Sequence, residues 1–163
     1  MQAIVNVTEN WAIGRDNGLL YPLRADLRRF RELTMGHAVI MGRKTLESLP
    51  GRKGLPGRRN LVLTANPDFE APGVEVVHTP LQAVFATGAE DFCIGGESVY
   101  RVLLPACDRV FVTRVLETAE DADAFFPDLD EDPEWEVSSQ SGIMEENGIR
   151  FQYVDYVRKI AED

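Results

Sequence analysis

Two glycine turns, each at a junction between an apolar run and a helical pattern, are the first features of this sequence that could bind a ligand. AVIMG ends at Gly42 before RKTLES, and DFCIG ends at Gly95 before a second glycine and ESVYRVLL. Glycine lets a ligand approach the backbone, and a helix start offers unpaired N–H groups and the positive end of a dipole. Arg43, Lys44 and Thr45 follow the first turn, which favours a ligand with several phosphates. Glycine at such a junction is also common for steric reasons, and the dinucleotide fingerprint G-x-G-x-x-G is absent.

A single aspartate lies on a predicted amphipathic helix over residues 24–34. Leu23, Leu27 and Phe30 are expected to point inward, which places Asp26 at the edge of buried surface. A carboxylate in the first turn can interact favourably with the helix dipole, or it can accept hydrogen bonds from a bound heterocycle. The spacing leaves both roles open.

The elements that position these residues alternate between strands and helices along the chain. The predicted strands are AIVNVT, AVIMG, NLVLT, VEVVH, DFCIG and RVFVTRV, and the predicted helices cover 24–34, 43–49, 80–88 and 97–104. WEVSSQSG and IRFQYVDYV then flank a turn over residues 145–148, where Asn-Gly favours a hairpin. We expect one α/β domain over residues 1–163, with a central, mostly parallel twisted β-sheet, helices on both faces and a C-terminal antiparallel hairpin.

The charge of the chain is unevenly distributed. The net charge is −10 at pH 7, which argues against nucleic acid as a partner. The segment from Arg24 to Arg59 holds ten of the 17 basic residues and three acidic ones, a local balance of +7. We interpret this segment as the binding region for an anionic ligand. Glu117 to Glu136 holds ten acidic residues and no basic one, and we interpret it as a solvated face.

Several protein classes do not fit the sequence. No stretch approaches the roughly 20 apolar residues of a membrane span, and MQAIVNVTEN lacks the basic and apolar regions of a secretion signal. Cys93 and Cys107 lie in or beside apolar runs and are expected to be reduced. No metal site is expected, because neither cysteine has ligand spacing and His37 and His78 are isolated. The prediction is a cytoplasmic protein without membrane contact.

Four blocks of the sequence resemble the dihydrofolate reductase family: NWAIGRDNGLLYPLRADLRRF, AVIMGRKTLESLPGRKGLPGRRNLVLT, FCIGGESVY and DADAFFPD. They follow the family's order and span nearly the whole chain. The resemblance implies the family's fold and NADPH-dependent reduction of 7,8-dihydrofolate to 5,6,7,8-tetrahydrofolate, which supplies one-carbon and thymidylate metabolism. It also implies a monomer without an obligate protein partner, and an antifolate target.

The resemblance assigns the pterin of dihydrofolate to Asp26, with water delivering the proton, and the glutamate tail of the substrate to Arg58. Thr113 is the threonine expected to support the carboxylate. Catalytic positions fall on Leu19, Tyr21, Asp26 and Tyr100, and substrate contacts on Val5, Asp26, Leu27, Phe30, Arg31, Leu49, Arg52, Arg58, Ile94 and Thr113.

The cofactor half is implied at the two glycine turns, where the family has a cis peptide between Gly95 and Gly96. Thr64 and Arg43 would favour the 2′-phosphate of NADPH, and Asp123 would hold closed a mobile loop through residues 17–19. The implied contacts are Asn6, Ile13, Gly14, Asn17, Gly18, Gly42, Arg43, Lys44, Thr45, Leu63, Thr64, Ala65, Gly95, Gly96, Glu97, Ser98, Val99, Tyr100 and Asp123.

Two departures from the family pattern and two alternative functions remain. Leu20 and Tyr21 stand where the family usually has Pro-Trp, and Ser98 stands where some members carry an arginine. One alternative is an NADPH-dependent reductase of a riboflavin-pathway pyrimidine, which Asp26 and Arg58 oppose. The other is a non-catalytic nucleotide-binding module, which gives no role to a carboxylate on an apolar helix.

Overall fold

The computed structural model describes residues 1–14 and 19–160, whose strands follow the apolar runs of the sequence. The strands are β1 (Gln2–Val7), β2 (Ala12–Gly14), β3 (Ala38–Gly42), β4 (Arg59–Leu63), β5 (Val74–Val77), β6 (Phe92–Gly95), β7 (Arg109–Val115), β8 (Ala124–Phe125), β9 (Trp135–Gln140), β10 (Met144–Glu146) and β11 (Ile149–Arg158). The helices are α1 (Arg24–Thr34), α2 (Arg43–Ser48), α3 (Pro80–Phe85) and α4 (Glu97–Leu103), with 3₁₀ turns at Pro50–Arg52 and Leu104–Ala106.

Nine of the described strands form one sheet in the order β10-β11-β7-β1-β6-β3-β4-β5, with β9 also paired to β11. All pairings from β7 to β5 are parallel, and β11 joins β7 antiparallel. The predicted mixed α/β fold, mostly parallel with an antiparallel C-terminal end, is confirmed.

Helices cover both faces of the sheet, as predicted. Side chains alternate along a strand, so Ile40 of β3 packs with α3 and α4 on one face, while its neighbours Val39 and Met41 pack with α1 and α2 on the other. All three side chains are fully buried. This double burial explains why the central strands are continuously apolar.

The sheet opens between β1 and β6, beside the ends of these strands. They pair only at Gln2–Phe92 and Ala3–Cys93, whereas β1 pairs with β7 over six residues. The second half of β1 therefore has no strand partner on the β6 side among the described residues. Parallel sheets bind ligands at such a point, where the strand order changes direction.

The C-terminal hairpin differs in detail from the prediction. Its turn is Asn147-Gly148, with φ of 51° and 81°, the left-handed values that a two-residue hairpin turn requires. Glu145 and Glu146 belong to β10 and are not turn residues. Across this turn β11 pairs with β10, and WEVSSQ of β9 pairs with the distal half of β11.

The prediction that Leu27 points inward is wrong, because its surface is 54% exposed. Leu23 is buried, and Phe30 packs partly buried against the α1/α2 core cluster. Leu27 is thus an apolar side chain exposed beside Asp26, one position along α1. A ligand that lies against α1 would cover it.

Candidate active site

The Asp26 carboxylate lies partly buried between α1 and two adjacent strands. Asn6 of β1 donates from Nδ2 to Asp26 Oδ2 at 2.9 Å, and Thr113 of β7 donates from Oγ1 to Asp26 Oδ1. Asn6 and Thr113 are register partners, so their side chains emerge side by side. Two neutral donors from a rigid sheet thus fix the orientation of one carboxylate.

The face of the sheet that carries Asn6 and Thr113, with Ile4 and Phe111 two residues before them, also carries apolar side chains. Phe30, Leu49 and Ile94 pack partly buried against the cluster on the α1/α2 face of the sheet, and Val5 is buried on the opposite face. The carbonyl of Tyr21 lies 3.5 Å from Asn6 Nδ2, so the segment before α1 adjoins the same site. The result is one charged group in a mostly apolar setting, the usual composition of a small-molecule site.

The two glycine turns meet in space because β3 and β6 are neighbours, with Met41 opposite Gly95. A Cβ on Gly42 would lie 3.1 Å from Val99 Cγ2, and one on Gly96 would lie 3.7 Å from Thr45 Oγ1. The peptide bond between Gly95 and Gly96 is cis, as the resemblance implies. The starts of α2 and α4 therefore converge on one backbone surface.

Tyr100 links this surface to the opening in the sheet. Its hydroxyl donates to the Ile4 carbonyl at 2.7 Å, where β1 has left β6. Burial raises the pKa of Tyr100 well above its ordinary value, so the hydroxyl remains a donor. The ring also lies 3.2 Å from where a Cβ on Gly95 would stand, and Gly95 has a φ of +121°. Gly95 is thus required both by conformation and by packing.

Arg58 lies near the C-terminal end of α1, where two hydrogen bonds orient its guanidinium. It donates from Nε to the Pro56 carbonyl at 3.0 Å and from Nη1 to Thr34 Oγ1 at 3.1 Å. Burial and the charge of Arg31 lower the pKa of Arg58. Two cations that repel each other would both gain from an anion between them. Arg52 is exposed after a turn at Gly51, and no described contact joins it to this pair.

The cations beside the first glycine turn occupy exposed positions. Arg43 pairs with Glu47 at 2.9 Å and lies over the Phe69 ring at 5.6 Å. Lys44 is exposed beside it. The structure therefore places Arg43 at the predicted turn, in an i,i+4 ion pair.

The end of β4 leads to Thr64, whose carbonyl lies 2.8 Å from Nδ1 of His78. Thr64 also accepts the Asn66 N–H at its hydroxyl, in a turn of exposed residues. Leu63 is half-buried and Ala65 is exposed. The sequence pattern shows His78 as isolated and does not predict this contact, since it depends on the pairing of β4 with β5.

The short strands β2 and β8 form a separate two-stranded sheet. Asp123 donates its N–H to the Gly14 carbonyl at 3.0 Å, beside Ile13. Glu97, at the start of α4, accepts the N–H of Phe125 at 3.1 Å, and Ser98 next to it is exposed. The predicted loop positions Asn17 and Gly18 lie outside the described residues, and Leu19 after them is 53% exposed.

Two other predictions are refined by the structure. Asn6 is implied as a cofactor contact, but its side chain is bonded to Asp26. In the acidic segment, Asp130 accepts hydrogen bonds from Arg114 and Tyr156, and Asp128 accepts the N–H groups of residues 130 and 131. Part of that segment therefore stabilises its own turns and β11 and is more than a solvated face.

The described residues hold neither a metal-binding cluster nor a membrane-spanning helix. In residues 1–14 and 19–160, no three His, Cys, Asp or Glu side chains are grouped so that they could hold a metal ion. None of the helices found in those residues has the length and apolar character that crossing a membrane would require.

Comparison with known proteins shows extensive similarity. The family model described as dihydrofolate reductase matches residues 1–158. The chain is 41% identical over 151 residues to dihydrofolate reductase of Mycobacterium leprae, covering 90% of each chain. It is 40% identical over 153 residues to that of Bacillus subtilis, covering 92% of this chain and 89% of the relative.

A solved structure is similar over nearly the whole chain. It is dihydrofolate reductase from Enterococcus faecalis complexed with NADP(H) and RAB-propyl, with a TM-score of 0.83 and 35% identity. The match covers 98% of this chain and 96% of the other.

Proposed function

The chain belongs to the dihydrofolate reductase family, and on that premise we propose that it reduces 7,8-dihydrofolate to 5,6,7,8-tetrahydrofolate with NADPH. The observation that carries this proposal is the Asp26 carboxylate, fixed by Asn6 and Thr113 in an apolar setting beside the opening of the sheet. A nucleotide-binding module would have no use for such a group.

The residues at the glycine turns fit NADPH. The backbone at Gly95 and Gly96 carries no side chain, and α2 and α4 both start beside it, as an approaching diphosphate requires. Arg43, Lys44 and Thr64 lie on the same side, at the ends of β3 and β4, and would bind the 2′-phosphate region. When bound, NADPH supplies the hydride.

Asp26 binds and polarises the pterin. An ionised carboxylate can accept hydrogen bonds from the 2-amino group and the adjacent ring N–H, and both bonds are charge-assisted. Thr113 donates its only hydroxyl hydrogen to Asp26, so its oxygen lone pairs are left to accept from the same amino group. With the pterin held in this way, water protonates the ring nitrogen beside the carbon that is reduced.

Arg58 binds the glutamate tail of the substrate. Two of its five N–H groups are used by Pro56 and Thr34, which orient the guanidinium and leave three for a carboxylate. Arg31 strengthens the local positive potential, and the exposed Leu27 lies between this end of α1 and Asp26.

Hydrogen bonds tie the end of β2 to the start of α4 by way of β8. The Asp123 N–H bonds the Gly14 carbonyl and joins the end of β2 to the residue before β8, and Glu97 accepts the Phe125 N–H and joins β8 to α4. Excluding bulk water strengthens the hydrogen bonds to Asp26 and limits competing reactions. We further propose that the protein acts as a cytoplasmic monomer in one-carbon metabolism and is a target for antifolates.

The test is the loss of NADPH absorbance at 340 nm with 7,8-dihydrofolate as substrate. We expect stoichiometric formation of tetrahydrofolate and slower reaction with NADH at equal concentration. Reduction of a riboflavin-pathway pyrimidine in place of dihydrofolate would replace the proposal with the related reductase. Tight NADPH binding without turnover of either substrate would replace it with a binding module.

A further inference from the structure

The first turn of α1 is capped by a residue from a distant part of the chain. Leu23 occupies the N-cap position and offers no side-chain hydrogen bond. Asp26, the acidic residue of that turn, is bonded to Asn6 and Thr113 instead. Glu146 takes the capping role: its Oε2 accepts the N–H of Arg24 at 2.7 Å and its Oε1 the N–H of Ala25 at 3.0 Å.

The charge of Glu146 suits this position. The backbone hydrogen bonds from Ala25 and Arg24 lower the pKa of Glu146, and the nearby Arg24 and Arg28 side chains add to the effect. The carboxylate is therefore ionised at neutral pH, and a negative charge at a helix N-terminus is favourable. Two carboxylates adjoin the start of α1, and only Glu146 bonds its free N–H groups.

Glu146 is itself held by the C-terminal hairpin. It is the last residue of β10 and pairs with Ile149 across the Asn147-Gly148 turn. Met144 and Ile149 pack against the cluster of Leu23, Val115 and Phe151. The same hairpin thus contacts the residue before α1 and caps the two residues after it.

The hairpin also reaches the other side of the Asp26 carboxylate. Tyr153 of β11 pairs with Thr113 of β7, the threonine that donates to Asp26. Asp26 directly follows Ala25, whose N–H is bound by Glu146. A shift of the first turn would move Asp26 relative to donors that the sheet keeps in place.

We propose that Glu146 is a positioning residue of the active site, which fixes the first turn of α1 and thereby the distance of the Asp26 carboxylate from Asn6 and Thr113. The inference rests on the proposed function, because the pterin is the group that a displaced carboxylate would bind less well. Glu146 need not touch the substrate for this effect.

The test compares Glu146→Ala with Glu145→Ala, a matched control that removes the same charge one residue earlier, on the opposite face of β10. Misplacing a binding group by a fraction of an ångström weakens the reaction, so we expect Glu146→Ala to lower kcat/KM for dihydrofolate about tenfold. The KM for NADPH should stay within about twofold, because the glycine turns lie outside the hairpin's contacts. The kcat/KM of Glu146→Gln should lie between those of the wild type and Glu146→Ala, since its carboxamide oxygen can accept one of the two N–H groups.

Each outcome decides the proposal. A wild-type enzyme inactive with dihydrofolate would contradict the proposed function, and this inference with it. Active wild type with equal kcat/KM in both alanine variants would contradict the inference alone. If Glu146→Ala weakened the binding of dihydrofolate and of NADPH equally and also lowered the Tm, its role would be purely structural. That result would also overturn the inference. If Glu146→Ala does not fold, the test falls to Glu146→Gln, and an unchanged kcat/KM for dihydrofolate in that variant would overturn the inference.

Discussion

At the scale of residues, the chemistry of this protein depends on how two carboxylates near one helix start are used. Asp26 could have interacted with the start of its own helix, which is one of the two roles that its spacing leaves open. Glu146 binds the N–H groups of Arg24 and Ala25, and Asp26 bonds to the side chains of Asn6 and Thr113. Because Glu146 caps the helix, the Asp26 carboxylate is available to bond the side chains of the sheet.

Thr113→Val should weaken pterin binding without disturbing the cofactor site. The change keeps the shape of the side chain but removes the hydroxyl that donates to Asp26. It also removes the oxygen that would accept from the pterin amino group, and an ordinary hydrogen bond contributes about 0.5–1.5 kcal/mol, so KM for dihydrofolate should rise about three- to tenfold. Steady-state kinetics with each substrate varied in turn would measure this.

The control for that change is Thr87→Val, which removes a half-buried hydroxyl bonded to the Ala83 carbonyl of α3. It should leave both KM values unchanged. An equal effect of Thr113→Val on dihydrofolate and NADPH would contradict a specific role for Thr113 at the pterin.

Arg58→Lys should reduce affinity for the substrate tail alone. A lysine has a positive charge but lacks the planar fork that binds a carboxylate through two N–H groups. The lysine would also lack the hydrogen bonds to Pro56 and Thr34 that orient the guanidinium, which weakens binding of the tail further. We expect KM for dihydrofolate to rise about tenfold or more, and KM for a dihydropterin without a glutamate tail to stay constant.

Arg59→Lys is the matched control, because Arg59 is the neighbouring arginine and pairs with Glu75 at 2.9 Å. It should not change either KM. If Arg58→Lys weakened the tailless pterin as much as dihydrofolate, the tail assignment would be wrong.

At the scale of elements, the two glycine turns show how a packing reason and a binding reason coexist. Gly42 has an ordinary backbone conformation, with φ of −81°, but Val99 leaves little room for a Cβ there. Gly95 has a φ of +121° and adjoins Tyr100. The packing of α4 thus partly explains why both positions are glycine. The two turns lie side by side and form the surface proposed for NADPH.

Gly42→Ala tests that packing. The new methyl would lie 3.1 Å from Val99 Cγ2, and overpacking a buried site costs about 1–3 kcal/mol. In a Val99→Ala background the same change should cost much less, because the opposing methyl is gone. The free energies of unfolding in urea for the wild type, both single variants and the double variant give the coupling. Additivity within about 0.5 kcal/mol would contradict the contact.

The long elements could be predicted from the sequence, and the short ones could not. α1 has the predicted bounds, and each predicted strand is present, because its apolar run is long enough to show a pattern. β2, β8 and β10 have three, two and three residues, too few for a periodicity. α4 ends at Leu103 in a 3₁₀ turn with Pro105, one residue before the predicted end.

The candidate site depends on contacts that no local pattern contains. Asp26 and Thr113 are 87 residues apart, and Glu146 and Ala25 are 121 residues apart. The resemblance implied Asp26 and Thr113 by position, but the strand register brings Asn6 to the same carboxylate. Leu27 was wrongly predicted as buried because helical spacing cannot distinguish a core from a binding cleft.

At the scale of the whole molecule, acidic residues outnumber basic ones, and individual carboxylates still stabilise the fold when ionised. Hydrogen bonds from Arg59 lower the pKa of Glu75, and backbone N–H groups lower that of Glu146. A lowered pKa in the folded state means that this stabilisation is fully present above the unfolded pKa, about 4.3 for glutamate. It is lost as the pH falls from there through the lowered pKa.

The free energy of unfolding should therefore be nearly constant, as far as these two groups are concerned, from neutral pH down to about pH 5, and should fall below about pH 4.3. Urea unfolding at a series of pH values would measure this. Glu75→Gln and Glu146→Gln should each reduce the dependence on pH in the acidic range. An unchanged dependence in both variants would contradict the two lowered pKa values.

The role of Asp26 at the pterin is tested by the rate of hydride transfer in a single turnover, comparing the wild type with Asp26→Asn. The variant keeps the side chain's size but loses the charge that polarises the pterin. We expect a rate at least about 100-fold lower, with NADPH affinity unchanged. Hydride transfer within about threefold of the wild-type rate would contradict that role.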